Sequence, residues 1–428
     1  MLQTLAVLGR EFPLALVGRV TLKPREALER MLSHLQLGEF IYEQPAVGDV
    51  EYVFKHALTQ EVAYNSMLLE RRKLLHESIG RAIESLFGEH RDEHLETLAH
   101  HYSRASNLPK AAHYLRLAGQ RAAQRSAFTH AIAQQREALE LLRKMPADDE
   151  RLREELAAEV ALAGTLIGYL GRGSPPEVER SYLRAREIAT QLDDKDALLA
   201  VLAGLRLFYR FRLELEKSLA IGEEFIRLAL DYDPDSIGSG YFGLLETSAE
   251  SGEFELARHH YERARSSGQF IRTAVGANAQ PILLLFGARI LWILGYPAQA
   301  LDLSREAADL ARRDGHAQLI SVILALSTEL HRWFRDRATV LKRAEELLAF
   351  ADENGMSYFS ATAAALRGWA LADGGSTHEG IAEMRRSLGA FDQAGCRVRS
   401  FEFAHLAEMC GRAGQVEAGL DLVKRALD

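Results

Sequence analysis

Four histidines crowd the segment HRDEHLETLAHHY: His90, His94, His100 and His101. His90 and His94 stand four apart, the spacing at which two imidazoles on one helix face share a zinc ion. A metal-assisted hydrolase needs more. No His-Glu-x-x-His arrangement is present, and Glu96 follows His94 by two, on another side of a helix. These are therefore read as surface histidines of a helical hairpin, with a metallohydrolase as the competing reading. His259-His260 beside Tyr261 is read the same way.

Two other clusters mix guanidinium and aromatic groups. Arg206, Tyr209 and Arg210 sit with Phe208, Phe211 and Arg212; Arg332, Trp333 and Arg335 sit with Phe334 and Arg337. Cation–π and bidentate contacts make Arg206, Tyr209, Arg210, Arg332, Trp333 and Arg335 candidate ligand contacts on a concave face. The competing reading is packing between repeats with the charged stems snorkelling outward. Trp369, in LRGWALADGG, is read as packed between helices. There is no G-x-x-x-x-G-K-[ST] loop to cradle phosphates, and Gly171-Arg172-Gly173 is read as a loop between helices. The expectation is a chain without catalytic residues, metal ligands or a cofactor of its own, and so not an enzyme.

The elements that would position these side chains are helical hairpins. In LWILGYPAQALDLSREAADLA, an apolar helix end meets Gly295, able to adopt the left-handed conformation that ends a helix, and Pro297, suited to the first turn of the next. Ala300, Ser304 and Ala307 keep one face small. Setting the turn at Gly252, Gly295, Arg335, Gly375 or Gly414 places the anchors Ala257, Ala300, Val340, Gly380 and Gly419, spaced by 43, 40, 40 and 39 residues. That is the tetratricopeptide pattern with helices longer than its usual 34-residue unit gives. KMPADDER (144–151) and DYDPDSIGSG (231–240) are read as polar breaks. The predicted fold is all-α, a tetratricopeptide-like superhelix of about eight helical hairpins over 95–428, behind a small N-terminal winged-helix (α+β) domain over 1–66 and a long connecting helix over 67–94.

Composition bounds the function. A chain of 428 residues, 47% hydrophobic and 26% charged, exceeds one compact core unless the core is linear. No run of about 18 uncharged apolar residues is present, so no membrane span is expected. The start MLQTLAVLGREF has no basic segment of the signal-peptide kind. Two cysteines, Cys396 and Cys410, are expected as free thiols in the cytoplasm. A net charge of -8 argues against nucleic acid as a partner of the whole chain.

The first 66 residues differ from the rest. Leu2–Leu8 and 13–20 read as short helices, with Thr21 as a cap for a helix over Arg25–Leu37. Phe40-Ile41-Tyr42 and Glu51-Tyr52-Val53-Phe54 read as a hairpin around Pro45 and Gly48. Leu68, Leu75, Ile79, Ile83 and Leu86 read as one face of a long helix, with Arg71, Arg72 and Lys73 on its solvated side. Residues 1–90 hold ten Lys and Arg against twelve Asp and Glu, a net charge of -2 that cannot supply the phosphate neutralisation of DNA binding. A DNA-binding regulator using the winged helix is kept as the alternative function.

GREFPL (9–14), FKHALTQEVAY (54–64) and ERRKLLHESIG (70–80) resemble the region after the nucleotide-binding domain of bacterial signal-transduction ATPases with numerous domains, often fused to a class III adenylate/guanylate cyclase or a protein kinase. The resemblance covers essentially the whole chain and is tightest before residue 140. It implies a winged helix followed by tetratricopeptide-like repeats, with an ATPase domain ahead of residue 1. ATP and ADP then belong to that domain alone. HALTQEVA is also similar to a Met-His-Asp motif whose histidine reaches the β-phosphate of ADP; the matching residue is His56, flanked here by Lys55 and Ala57 in place of Met and Asp. The implied role is a cytoplasmic sensor binding a peptide, a protein or a small effector on the repeats and relaying it through the winged helix.

Overall fold

The computed structural model describes residues 1–45, 50–125, 127–170, 174–267, 279–393 and 400–427. Two compact units divide at Thr165 and Leu166, within one helix.

The first unit opens with α1 (Leu2–Leu8), β1 (Glu11–Pro13), α2 (Leu14–Thr21) and α3 (Arg25–Leu37), then β2 (Ile41–Pro45) and β3 (Val50–Phe54). The three strands form an antiparallel sheet in the order β1-β3-β2, with Phe12 opposite Tyr52 and Tyr42 opposite Val53. This helical piece with a small sheet is compatible with a winged helix. Strand β1 was not foreseen: three residues ending in Pro13 carry too short a pattern to read. Thr21 caps nothing. Its hydroxyl donates to Val17 O at 2.8 Å inside α2, and Pro24 starts α3. Residues 46–49, between β2 and β3, lie outside the described ones.

The expected long helix is two helices, α4 (Ala57–Asn65) and α5 (Leu69–Leu86). Ser66 donates its hydroxyl to Ala63 O at 2.7 Å, a local bond that closes α4. The break rotates the apolar stripe, so Leu68 is exposed while Ile79 and Ile83 are buried. Three further helices, α6 (Leu95–Ala105), α7 (Leu108–Gln124) and α8 (Phe128–Leu142), lead to α9 (Asp149–Leu170), which carries the boundary between units. One core runs from Leu5 through Phe12, Ile79 and Tyr102 to Ala138, continuous across the sequence-based edges at 66 and 94.

The second unit is a succession of helices: α10 (Pro176–Gln191), α11 (Lys195–Phe211), α12 (Leu215–Tyr232), α13 (Ile237–Glu250), α14 (Phe254–Ser266), α15 (Gln280–Ile293), α16 (Pro297–Asp314), α17 (Ala317–Trp333), α18 (Arg337–Glu353), α19 (Ser357–Asp373), α20 (Thr377–Gln393), α21 (Ser400–Arg412) and α22 (Val416–Leu427). From α11 onward they pair as hairpins, α11 with α12 through α21 with α22. This is the tetratricopeptide-like repeat fold. Of the expected break at 231–240, only the turn Pro234–Ser236 interrupts helix, because α13 begins at Ile237. Gly171 to Gly173 and Cys396 fall outside the described residues; Cys410 is a buried free thiol.

One device closes each of these hairpins. Gly252, Gly295, Gly375 and Gly414 have φ of 79, 88, 101 and 73°, and Leu213 and Arg335 adopt 61 and 57° at the same place. The next N–H then reaches back five residues: Tyr296 to Leu291 O at 2.8 Å, Asp336 to His331 O at 3.1 Å, Gln415 to Cys410 O at 2.9 Å. That is the Schellman geometry, which satisfies the last carbonyls of the first helix. The anchors do what their size predicts. Ala257, Ala300 and Val340 are fully buried, and Gly380 faces Gly368 so closely that a Cβ on Gly380 would lie 2.4 Å from Gly368 O.

Candidate functional site

Four first helices of successive hairpins, α15, α17, α19 and α21, lie side by side in the second unit. The ends of α15, α17 and α19, the turn residue Arg335 and the middle of α21 bring Trp292, Trp333 and Trp369 together with Arg332, Arg335, His405 and Glu408 around a pocket of about 400 Å³. That volume suits a ligand of fragment size or one large side chain. The indoles of Trp292 and Trp333 lie 5.1 Å apart at 48°, and the Arg289 guanidinium sits 5.0 Å over the Trp333 ring. Trp369 is 4% exposed, so it supports the floor and packs as the sequence implies.

Charge at the rim is shared unevenly. Arg412 donates to Asp373 Oδ1 at 3.1 Å and to Glu408 Oε1 at 2.8 Å. Arg335 approaches the same two oxygens only at 3.6 and 3.5 Å, with its side chain 58% exposed. Arg332 is buried, 3.7 Å from Glu329, with its guanidinium 5.6 Å over Phe401. Burial, then the fields of Arg332 and Arg335, hold the His405 imidazole down to about 3. It is neutral at neutral pH and reports a positive local potential.

Arg206 and Arg210, two of the other candidates, are tied into the packing between α11 and α13, and Tyr209 into that between α11 and α10. Arg206 donates to Gly243 O at 3.0 Å and to Glu246 at 3.1 Å; Arg210 pairs with Glu246 at 3.3 Å and Glu250 at 3.2 Å. Gly243 lets the Arg206 stem pass, since a Cβ there would meet Arg206 Nε at 2.4 Å. Tyr209 is buried and donates to Glu179 at 2.8 Å. Helix spacing alone could not tell these two Arg-aromatic clusters apart. Both occupy last turns of first helices, and only the acids on the neighbouring helix decide which is neutralised. Trp292, His405 and Glu408 were not singled out. They stand three, nine and six residues ahead of Gly295 and Gly414, so no common repeat position marks them, and only the packing of α15 through α21 gathers them.

In the first unit, His56 is exposed just ahead of α4, its side chain making no cap bond. His90 lies at a non-helical kink within the turn Gly88–His94, so it shares no regular helix face with His94, whose ring lies 4.0 Å from that of Phe87, tilted by 36°. His101 pairs instead with His76, Nδ1 to Nδ1 at 2.9 Å, and Tyr64 Oη lies 3.1 Å from His76 Nε2. His76, His100, His101 and Arg104 line a pocket of about 570 Å³ with Tyr64 and Gln60. Among the described residues, no group of three His, Cys, Asp or Glu is placed to hold a metal ion. His260 stacks on Tyr241 at 6.0 Å, and burial with His259 holds it down to about 4. Arg72 lies over the Tyr64 ring at 5.0 Å and Lys73 pairs with Glu70 at 3.0 Å.

The buried pair sets a pH response. Burial first, then His100, Arg104 and Arg72, lowers His76 to about 4; burial, then His76 and His100, lowers His101 to about 3. The unfolded chain protonates its histidines near 6.5, the folded one well below, so the unfolded state binds more protons as pH falls. The melting temperature should therefore be level above about pH 7 and decline from about 6.5 towards 4. His101→Gln should flatten that decline; an unchanged slope would mean that other groups cause it.

No family model matches the chain. An uncharacterized protein of Rhizobium meliloti (strain 1021) is 27% identical over 396 residues, 89% of this chain and 38% of that protein, so the chain spans well under half the length of the curated relative it matches. Among solved structures, the apo form of the quorum sensor NprR from B. thuringiensis aligns with 96% of each chain at a TM-score of 0.51 and 11% identity. A signal transduction ATPase with numerous domains and a tetratricopeptide repeat sensor from Pyrococcus horikoshii aligns over 100% of this chain and 65% of that one, at 0.42 and 14% identity. What the chain shares with NprR is the fold, tetratricopeptide-like helical hairpins. Among the described residues, no helix is long and apolar enough to cross a membrane.

Proposed function

We propose that the chain is a non-catalytic sensing and interaction module, seating a peptide, a protein segment or a small effector in the pocket of Trp292, Trp333 and Trp369. The observation that carries this is the convergence of three indoles and two guanidiniums from α15, α17, the turn after it and α19 on one open cavity that α21 walls with His405 and Glu408. Aromatic and Arg side chains in a desolvated pocket are the residues that dominate binding energy. The match to NprR, a quorum sensor, along nearly its whole length supports a sensor role.

The resemblance at 9–14, 54–64 and 70–80 supports a finer reading: a cytoplasmic part of a signal-transduction ATPase, cyclase- or kinase-linked. In it, residues 1–66 act as a winged helix, 67–94 connect, and 95–428 form the sensing array. There the ligand shifts a balance between two packings, which requires that it bind one better than the other. Nucleotide belongs to the ATPase domain, with His56 on the side that reads it. DNA recognition through α3 is the weaker alternative, because Arg25 is held by Glu29 at 2.8 Å and Arg30 by Glu26 O at 3.3 Å.

The test is selection of peptides on the full chain, followed by Trp333→Ala. Loss of a half-buried Trp anchor should weaken selected ligands by about 2 kcal/mol, roughly 30-fold, with helical circular dichroism unchanged. Ligands indifferent to Trp333 would remove this pocket from the proposal.

A further inference from the structure

Arg335 occupies a turn position where glycine stands in four other hairpins, with φ of 57°. A residue with a Cβ is disfavoured there by roughly 1 kcal/mol, so something other than turn geometry recommends it. Leu213 shows that the turn tolerates a side chain, not why this one is a guanidinium. Its placement offers a reason. The Arg335 side chain stands at the mouth of the Trp pocket. Its two acidic neighbours give their oxygens to Arg412 at 3.1 and 2.8 Å and stay 3.6 and 3.5 Å from Arg335. Among the described residues, the Arg335 guanidinium donates no hydrogen bond, since N–H···O bonds run to about 3.2 Å. Two guanidiniums thus compete for one pair of carboxylates, and the looser one faces the cavity.

We infer that the ligand of this pocket is an aromatic carboxylate: a planar apolar group among Trp292, Trp333 and Trp369, with its carboxylate held by Arg335. The inference rests on the pocket being the ligand site, as proposed above. The planar fork of Arg335 can take both oxygens of a carboxylate at once. An anion there can take the N–H donors that Asp373 and Glu408, at 3.6 and 3.5 Å, leave loosely engaged on Arg335. Burial does most to lower His405, and the two groups that add to it, Arg332 and Arg335, carry the sign that attracts an anion and repels an amine. Glu408 in the wall weighs against a dianion such as a phosphate group. The indoles supply flat apolar faces, which favour offset or edge-on aromatic contact. Two sources carry this chemistry, the free C-terminus of a peptide ending in an aromatic residue and a free aromatic acid.

The probe is a dye-labelled Gly-Gly-Gly-Ala-Phe peptide, made with a free C-terminal carboxylate and as the C-terminal amide, titrated into the full chain by fluorescence polarisation. The acid should bind about ten-fold or more tightly than the amide. Arg335→Gln should bring that ratio to about one while leaving amide binding nearly unchanged. Arg335→Gly should do the same with an equal or higher melting temperature, because glycine relaxes the turn. Equal binding of acid and amide, a preference that survives Arg335→Gln, or no binding of either form would overturn the inference. Competition by N-acetylphenylalanine separates the sources: displacement at a similar concentration supports the free acid, displacement only at ten-fold more supports the peptide terminus. If selected peptides depend on Trp333 but ignore their C-terminal group, the pocket reading stands and the carboxylate assignment falls. If they ignore Trp333, the pocket reading itself falls.

Discussion

Glu246→Ala should cost about 3–5 kcal/mol, enough to unfold much of the second unit at moderate temperature. Glu246 is 7% exposed and neutralises two guanidiniums, Arg206 at 3.1 Å and Arg210 at 3.3 Å. Truncating it leaves both without that partner in a site where burial already pulls Arg206 below its ordinary value. The pair is not stabilising merely because it is buried: desolvating three charges roughly offsets their attraction. What is expensive is removing one sign only. The triple variant Arg206→Met, Arg210→Met, Glu246→Leu should therefore recover most of the stability lost by the single one. Urea unfolding of the three proteins would decide. A single variant within about 1 kcal/mol of wild type would show the network to be solvated and the assignment of Arg206 and Arg210 to packing mistaken.

Gly380→Leu should be the most damaging substitution at a helix crossing. A Cβ on Gly380 would stand 2.4 Å from Gly368 O and 2.8 Å from Ala372 Cβ and N, so backbone, not a flexible side chain, blocks it. Even Gly380→Ala should lose about 1–3 kcal/mol, although alanine is the better helix former by about 1 kcal/mol. The control lies in the same helix. Gly389 has nothing within 4 Å of its would-be Cβ, so Gly389→Ala should stabilise by about 0.5–1 kcal/mol. Opposite signs in one helix separate close approach from propensity. If both substitutions stabilise, the two helices can move apart and the small anchors are not required.

The repeats were legible because their cause is local. A left-handed turn and a buried anchor at a fixed offset recur in the chain, and Gly252, Gly295, Arg335, Gly375 and Gly414 all adopt the positive φ that the pattern demands. The start of the chain was less legible. Helix α3 matches its sequence bounds at Arg25–Leu37, yet β1 and the break between α4 and α5 depend on few residues with no periodicity. Of the histidines read as surface residues, His101 is buried. His101 meets His76, a residue distant in sequence, while its neighbours His90 and His94 go elsewhere.

The hairpin and its period can be read along the chain, since turn chemistry and anchor size act over a handful of neighbouring residues. Tertiary structure alone decided which Arg-aromatic cluster remains open. Arg206 and Arg210 meet Glu246 and Glu250 across a helix pair, whereas Arg335 faces two acids already taken by Arg412. Neutralisation depends on which side chains lie opposite, roughly forty residues away, and that register is set only when the helices pack.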